Sequence, residues 1–305
     1  MPKIPNLFIV GAPKSGTTAM WSYLGKHPDI FAAGKEYHFF GSDLAYRNQQ
    51  RPDSDRYLSN FDRATDERYL LDASIGYLVS KRAAAEIASF SPDARIVAIL
   101  RNPIDMMHSL HSELLFQGDE DVADFGEALA LEEARLRGEH IPDACQSVWA
   151  LSYRAVAHYS EQLTRYFDAL GTERVHVVVF DDLVADTAGC YQAVLEFLDV
   201  DRTFVPDLPV VNANKVARSG LMVRVLRSPP PFVRRLGRMA VQNQNARRAL
   251  GGRLQSLNAG TRSRPPIDPG LRRALEAEFH SEVATLGELL GRDLTGWCSP
   301  VAQSS

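Results

Sequence analysis

The chain has 305 residues, 45% of them hydrophobic and 24% charged, with a formal net charge of −4. That apolar content excludes disorder as the dominant state, and the near-neutral balance excludes the global basic footprint of a nucleic-acid binder. Cys145, Cys190 and Cys298 stand without CxxC spacing, so neither a disulfide framework nor a thiolate zinc site is expected, and the reading is a cytoplasmic one. No apolar run approaches the ~20 residues of a membrane span, and no signal-peptide core precedes the first strand-like stretch.

Asn6–Val10 is a short apolar run of strand formers that ends at Gly11 and predicts a buried strand. After the loop Gly11–Gly16, Thr17–Lys26 has helical spacing through Met20 and Leu24 and stops near His27-Pro28. Arg68–Leu71 and Arg95–Leu100 are the second and third strands, and Asn102-Pro103 opens a helix over Ile104–Phe116. A long helical pattern from about Ser147 to Leu170 leads to a fourth strand, Val175–Phe180, followed by a helix over Thr187–Leu198. The last helix, Asp268–Leu290, repeats Leu271, Leu275, Phe279, Val283, Leu286 and Leu290 along one face.

Strands alternating with helices predict a three-layer α/β fold of the P-loop type, a central parallel sheet flanked by helices, with ligands at the strands' carboxyl ends. One domain is expected over residues 1–305. Two segments fall outside that pattern. Residues 118–144 are acidic and helical-looking, and are expected as an insertion or lid over the site. Residues 221–257, expected as a second lid or insert segment, are arginine-rich and broken by Pro229-Pro230-Pro231. A membrane contact through the second segment is open but not favoured over a solvated helix face.

The loop Gly11-Ala12-Pro13-Lys14-Ser15-Gly16-Thr17-Thr18 joins the first strand to the first helix. There, backbone N–H groups and the positive helix end face an anion, glycines permit the turn, and Ser15, Thr17 and Thr18 add hydroxyls. The lysine stands before Gly16 rather than after it, which departs from the Walker A pattern of nucleoside triphosphatases. At the end of the third strand, Arg101 offers a guanidinium fork for a phosphate, and Ser109 follows about two turns along the next helix. His108 and His111 lie three apart without an evident third ligand, so no metal site is expected.

Pro13–Thr18 resembles the 5′-phosphosulfate loop of PAPS-dependent sulfotransferases, and Arg101-Asn102-Pro103 with Ser109 resembles that family's 3′-phosphate motif. Gly34-Lys35-Glu36-Tyr37-His38-Phe39-Phe40 is similar to the Lys-Glu-x-His-Phe-Phe stretch of its carbohydrate branch, nearest to the heparan sulfate type. Asp72-Ala73-Ser74-Ile75-Gly76-Tyr77 resembles its [Glu/Asp]-x-[Ser/Thr]-Pro-x-Tyr segment. Two departures stand there: Ile75 replaces the usual proline, and Ala73 replaces the active-site lysine of heparan sulfate 3-O-sulfotransferases.

The resemblance implies sulfuryl transfer from PAPS to a hydroxyl or amine of a carbohydrate, lipid or specialised metabolite, releasing 3′,5′-ADP without a metal. It implies donor binding by Lys14, Ser15, Gly16, Thr17, Thr18, Arg101 and Ser109, with Lys215 and Arg218 as further candidates in a basic closing loop. Lys35, Ser74 and Tyr77 are expected at the acceptor. Glu36 is the favoured base and His38 its rival. A small-molecule or glycan partner is expected and a nucleic acid is not. A P-loop kinase and a non-catalytic binding module are the alternatives.

Overall fold

The structure is a computed structural model that describes residues 3–47, 50–208, 216–217, 259–260 and 264–298. Lys215, Arg218 and the arginine-rich segment 221–257 lie outside the described residues.

Five strands form one parallel sheet: β1 (Leu7–Gly11), β2 (Ile30–Phe31), β3 (Tyr69–Ala73), β4 (Arg95–Leu100) and β5 (Val175–Val179), in the order β2-β3-β1-β4-β5. The expected parallel α/β sheet is therefore present, with β1 at its centre, and the short β2 is an addition that the sequence pattern did not reveal. Every residue of β1 and β3 is buried, as a parallel sheet covered on both faces requires. Alternate side chains go to opposite sides. Phe8, Val10, Ile96, Ala98 and Leu100 enter one core cluster, while Leu7, Ile9, Val97 and Ile99 enter the other.

The first cluster is closed by α3 (Ala83–Phe90), α4 (Pro103–Gln117), α8 (Tyr159–Leu170) and α11 (Pro269–Leu290), the second by α1 (Thr17–Leu24) and α10 (Thr187–Leu198). The described residues also form the short helices α2 (Ser54–Leu58), α5 (Phe125–Ala130), α6 (Glu132–Leu136), α7 (Tyr153–Ala157) and α9 (Phe180–Ala185). A separate antiparallel pair joins β6 (Val216–Ala217) to β7 (Ala259–Gly260). Among the described residues no helix is long and apolar enough to cross a membrane.

Two expected boundaries move. Helix is not continuous from 147 to 170: a short turn over Val148–Leu151 precedes α7 and α8, with breaks at Ser152 and His158. Just past those breaks, the amides of Arg154 and Ser160 bond to the carboxylates of Glu132 and Glu282, both 2.8 Å away. Distant acceptors thus replace the intrahelical ones. The fourth strand stops at Val179, because Phe180 begins α9, whose first turn carries Asp181 and Asp182 where the helix dipole favours negative charge.

Residues 118–144 are fastened rather than free-standing. Glu120 and Arg135 form an ion pair at 2.6 Å, with both side chains at most 1% exposed, and the Tyr153 hydroxyl donates to the same carboxylate at 2.8 Å. With the amides of Asp121 and Val122 also donating to it, this buried carboxylate ties α6 to α7, and Asp119 beside it lines a cavity.

Candidate active site

Strand order reverses at β1, since β2 and β3 lie on one side of it and the chain then crosses to β4 and β5 on the other. The loops after β1 and β4 diverge there and leave a crevice above the carboxyl ends. A cavity of ≈ 370 Å³ occupies it, lined by Lys14, Gly16, Thr17, Thr18, Lys35, Glu36, His38 and Ile75 on one side. Glu113, Gln117, Asp119, Gln146, Ser147 and Trp149 line the other.

The loop after β1 turns through left-handed backbone at Lys14 (φ 58°) and Gly16 (φ 91°) and runs into α1. The positive φ at Gly16 strains any side chain placed there, and an added Cβ would also press on Leu183 Cδ2 at 2.8 Å. Ala19 N–H already bonds to Gly16 O at 3.0 Å, so the amides ahead of it, at Thr17 and Thr18, are the ones left at the helix N-terminus, on residues that line the cavity with Lys14. Thr17 and Thr18 line the cavity as expected. Ser15 does not: it is fully buried and its hydroxyl donates to the Pro13 carbonyl at 3.1 Å. Its hydroxyl thus closes the turn on itself in this structure.

Segment 34–40 forms the facing wall. Its backbone is held by the end of β3: Glu36 N–H donates to Ala73 O at 2.9 Å, Tyr37 N–H to Ser74 Oγ at 3.1 Å, and Phe39 N–H to the Tyr77 hydroxyl at 3.1 Å. Glu36 and His38 both have positive φ, 59° and 54°, a conformation costing about 1–3 kcal/mol per residue that persists only when surroundings over-determine it. Alternation then sends Glu36 and His38 to the cavity and Tyr37 and Phe39 into an aromatic cluster, where Phe39 stacks on Tyr57 at 4.0 Å.

Beneath that segment lies the carboxylate of Asp72, fully buried. It accepts from Tyr57 at 2.7 Å, Ser74 at 2.7 Å and Tyr77 at 3.0 Å. Burial pushes its pKa up to about 6 against the pull of those three hydroxyls. Ser74 and Tyr77, expected to touch the acceptor, are 0% exposed. Their hydroxyls pass the anchoring of Asp72 on to the amides of Tyr37 and Phe39. Tyr77→Phe removes a donor to Asp72 and an acceptor for the Phe39 amide. Unfolding free energy is expected to fall by about 1–3 kcal/mol, seen as a lower denaturant midpoint at constant m-value.

The titratable groups of the cavity are driven apart. Burial raises the Glu36 carboxyl to about 7, although the Lys35 charge and the Ile75 amide, 3.3 Å from its Oε2, both favour ionisation. Burial lowers His38 to about 4, so its imidazole is neutral near pH 7. Desolvation also lowers Lys35, whose ammonium donates to the Thr18 hydroxyl and so ties segment 34–40 to the loop.

The second loop follows β4. Arg101 stacks over the Phe180 ring at 4.8 Å and donates to the Lys14 carbonyl at 3.2 Å, which joins it to the phosphate loop. Asn102 caps α4 by accepting from Ile104 N–H at 3.0 Å, while its amide donates to Trp297 O at 2.7 Å. Ser109 is buried, and its Oγ accepts from Arg264 at 3.0 Å. Arg101 and Arg264 are close enough for the Arg101 charge to add to the burial that depresses Arg264. Two guanidinium groups and one hydroxyl thus gather beyond the end of β4, with the Asp105 carboxylate near Arg264.

Sequence reasoning missed Glu113, Asp119, Trp149 and Arg264. Only Glu113 carried a local signal, since it lies four residues beyond Ser109 and shares its helix face. Among the described residues no group of three or more His, Cys, Asp or Glu side chains could hold a metal ion.

Residues 5–208 match the family described as the sulfotransferase domain. The chain belongs to the sulfotransferase family. It is similar to heparan sulfate glucosamine 3-O-sulfotransferase 6 of Homo sapiens, 27% identical over 214 residues that make up 70% of this chain and 57% of that protein. It is also similar to bifunctional heparan sulfate N-deacetylase/N-sulfotransferase 1 of Xenopus laevis, 26% identical over 203 residues, covering 65% of this chain and 22% of that one. The chain therefore spans little more than half of the one relative and under a quarter of the other. Among solved structures, a sulfotransferase from Alicyclobacillus acidocaldarius superimposes with a TM-score of 0.72 at 29% identity, over 97% of this chain and 100% of that chain. The sulfotransferase fold thus takes in the β1 loop, segment 34–40 and the β4 loop, all within the matched residues.

Proposed function

We propose that the chain transfers a sulfuryl group from PAPS to a hydroxyl or amine of a carbohydrate, with Glu36 as the base and Lys14 as the cation at the leaving phosphate. The observation that carries this reading is the meeting of the Lys14 loop and the Glu36 carboxyl on the walls of one cavity. The donor set fits a nucleotide with an anion at each end. Helix-terminal amides, Lys14 and Thr18 offer hydrogen bonds to one, and Arg101 with Ser109 and Arg264 offers a fork to the other. When bound, PAPS supplies an activated sulfuryl group whose bond from sulfur to the phosphate oxygen is the one that breaks.

Lys14 stands where negative charge grows on that oxygen, so its stabilisation is larger in the transition state than before it. Glu36 holds the acceptor's proton at its carboxylate, and an acidity near neutrality suits a base that must be ionised yet still proton-hungry. His38 at about 4 is too acidic a conjugate acid for that task near pH 7. A neutral imidazole in the wall can orient the acceptor instead. Lys35, next to Glu36 on the cavity wall, is read as an acceptor contact, and its ammonium also donates to the Thr18 hydroxyl. Two relatives whose names specify heparan sulfate support a carbohydrate acceptor. Ala73, standing where the 3-O branch has a lysine, points away from an acceptor as anionic as theirs.

Calorimetry with 3′,5′-ADP, 5′-AMP and ATP tests the donor. A magnesium-independent preference for 3′,5′-ADP is expected. Arg101→Ala should weaken that ligand about 10- to 100-fold, as the loss of a charge-assisted bond of about 1.5–3 kcal/mol requires, while leaving 5′-AMP nearly unchanged. Equal binding of all three nucleotides would sink the assignment.

A further inference from the structure

The Lys14 ammonium lies 3.0 Å from Oε2 of Glu113, across 99 residues of chain. Gln117 donates to the other carboxylate oxygen, Oε1, at 2.7 Å and so fixes the orientation of that side chain. Both members of the ion pair are 29% exposed, and both line the cavity. Residues 109, 113 and 117 recur every fourth position of α4, about 6 Å apart along its axis, so one helix face runs from the Arg264 contact to the phosphate loop.

We propose that Glu113 is a counter-ion built into the donor site, which holds Lys14 before the nucleotide arrives and then competes with the nucleotide's 5′-anion for the same ammonium. The inference rests on the sulfotransferase reading given above.

The physical argument is one of charge. A phosphate in contact with the Lys14 ammonium comes within a few ångströms of a carboxylate already at that atom, and two anions at that separation repel. Gln117 donates to its second oxygen, so swinging the carboxylate aside costs that hydrogen bond as well as the ion pair. Binding at the 5′ end therefore carries a standing penalty, which lowers the affinity for donor and for product alike. A product held by an arginine fork at one end and by helix amides at the other would otherwise leave slowly. Weakening its 5′ end shortens its stay without disturbing the 3′ contacts that distinguish it from other adenine nucleotides.

Glu113→Gln keeps the size of the side chain and its bond to Gln117 while removing the charge. Calorimetry on wild type and variant, with 5′-AMP, 3′,5′-ADP and adenosine 3′-monophosphate as probes, isolates the effect. The variant is expected to bind 5′-AMP and 3′,5′-ADP roughly 10-fold more tightly and adenosine 3′-monophosphate within about twofold of wild type. The difference should shrink as salt rises from about 50 to about 500 mM. Glu113→Ala, checked by thermal melting for an intact fold, should give the same ordering of the three probes.

Unchanged or weaker binding of the two 5′-phosphates would overturn the counter-ion. Equal tightening of all three probes would overturn it too, by showing a general loosening of the site. A wild type that prefers 3′,5′-ADP while the variant merely matches it refutes the counter-ion alone. A wild type that binds none of the three removes the sulfotransferase reading and this inference together.

Discussion

Glu36→Gln is expected to lower turnover about 100- to 10,000-fold, the range for a positioned general base, while 3′,5′-ADP still binds within about twofold of wild type. Initial rates of 3′,5′-ADP formation, with a desulfated glucosamine oligosaccharide as acceptor, measure the first quantity and calorimetry the second. The sign of the pH dependence follows from the raised carboxyl. Glu36 acts as a base only when ionised, so kcat/KM should be low in acid and rise with pH through a midpoint near 7, the value to which burial lifts this group. The glutamine variant has no such limb. A base at His38 would instead place the limb near 4, where that imidazole takes up its proton. A rising limb near 4 in wild type, or a Glu36→Gln enzyme within tenfold of wild type, would move the proton from Glu36 to another group.

Lys14→Ala should reduce turnover by on the order of 100-fold or more, by analogy with the loss of one preorganised donor at a developing oxyanion. The fold should barely register the change. Lys14 and Glu113 are each 29% exposed, and pairs of that kind contribute at most about 1 kcal/mol. Lys14→Arg is a sharper probe, because a planar guanidinium does not reproduce a compact ammonium at the mouth of a tight turn. It should recover nucleotide binding better than it recovers rate. If Lys14→Ala lowered kcat/KM only through KM, the lysine would bind donor and transition state equally, and its proposed role at the leaving oxygen would be lost.

Both expectations draw on residues legible without coordinates, and the reason is that their chemistry is local. A strand, a turn with left-handed positions and a helix N-terminus are consecutive in the chain, so the order Leu7–Gly11, Lys14–Gly16, Thr17–Leu24 already prescribes an anion-binding turn. The same holds for Arg95–Leu100 and Arg101 before α4, where Asn102 caps the helix that Pro103 begins. Five-residue strands buried on both faces announce a covered parallel sheet in the same way.

What tertiary structure decided lies where contacts skip along the chain. Ser15, Ser74 and Tyr77 carry polar groups in the expected motifs, yet packing turns all three inward, where Pro13 O and the buried Asp72 take their hydroxyls. Segment 34–40 reaches the cavity only because Ala73, Ser74 and Tyr77, more than thirty positions away, hold its amides and sustain positive φ at Glu36 and His38. Arg264 meets Ser109 across 155 residues, and Glu113 meets Lys14 across 99.

Sequence by itself thus determined the sheet, the two loops at its carboxyl ends and the residue types that face an anion, because turn and capping chemistry act between neighbours in the chain. Which hydroxyls are taken up by internal bonds, which carboxyl is lifted toward neutrality and which carboxylate meets the loop lysine were decided by the tertiary fold. Desolvation and charge proximity are properties of the assembled surroundings, and no single segment contains them.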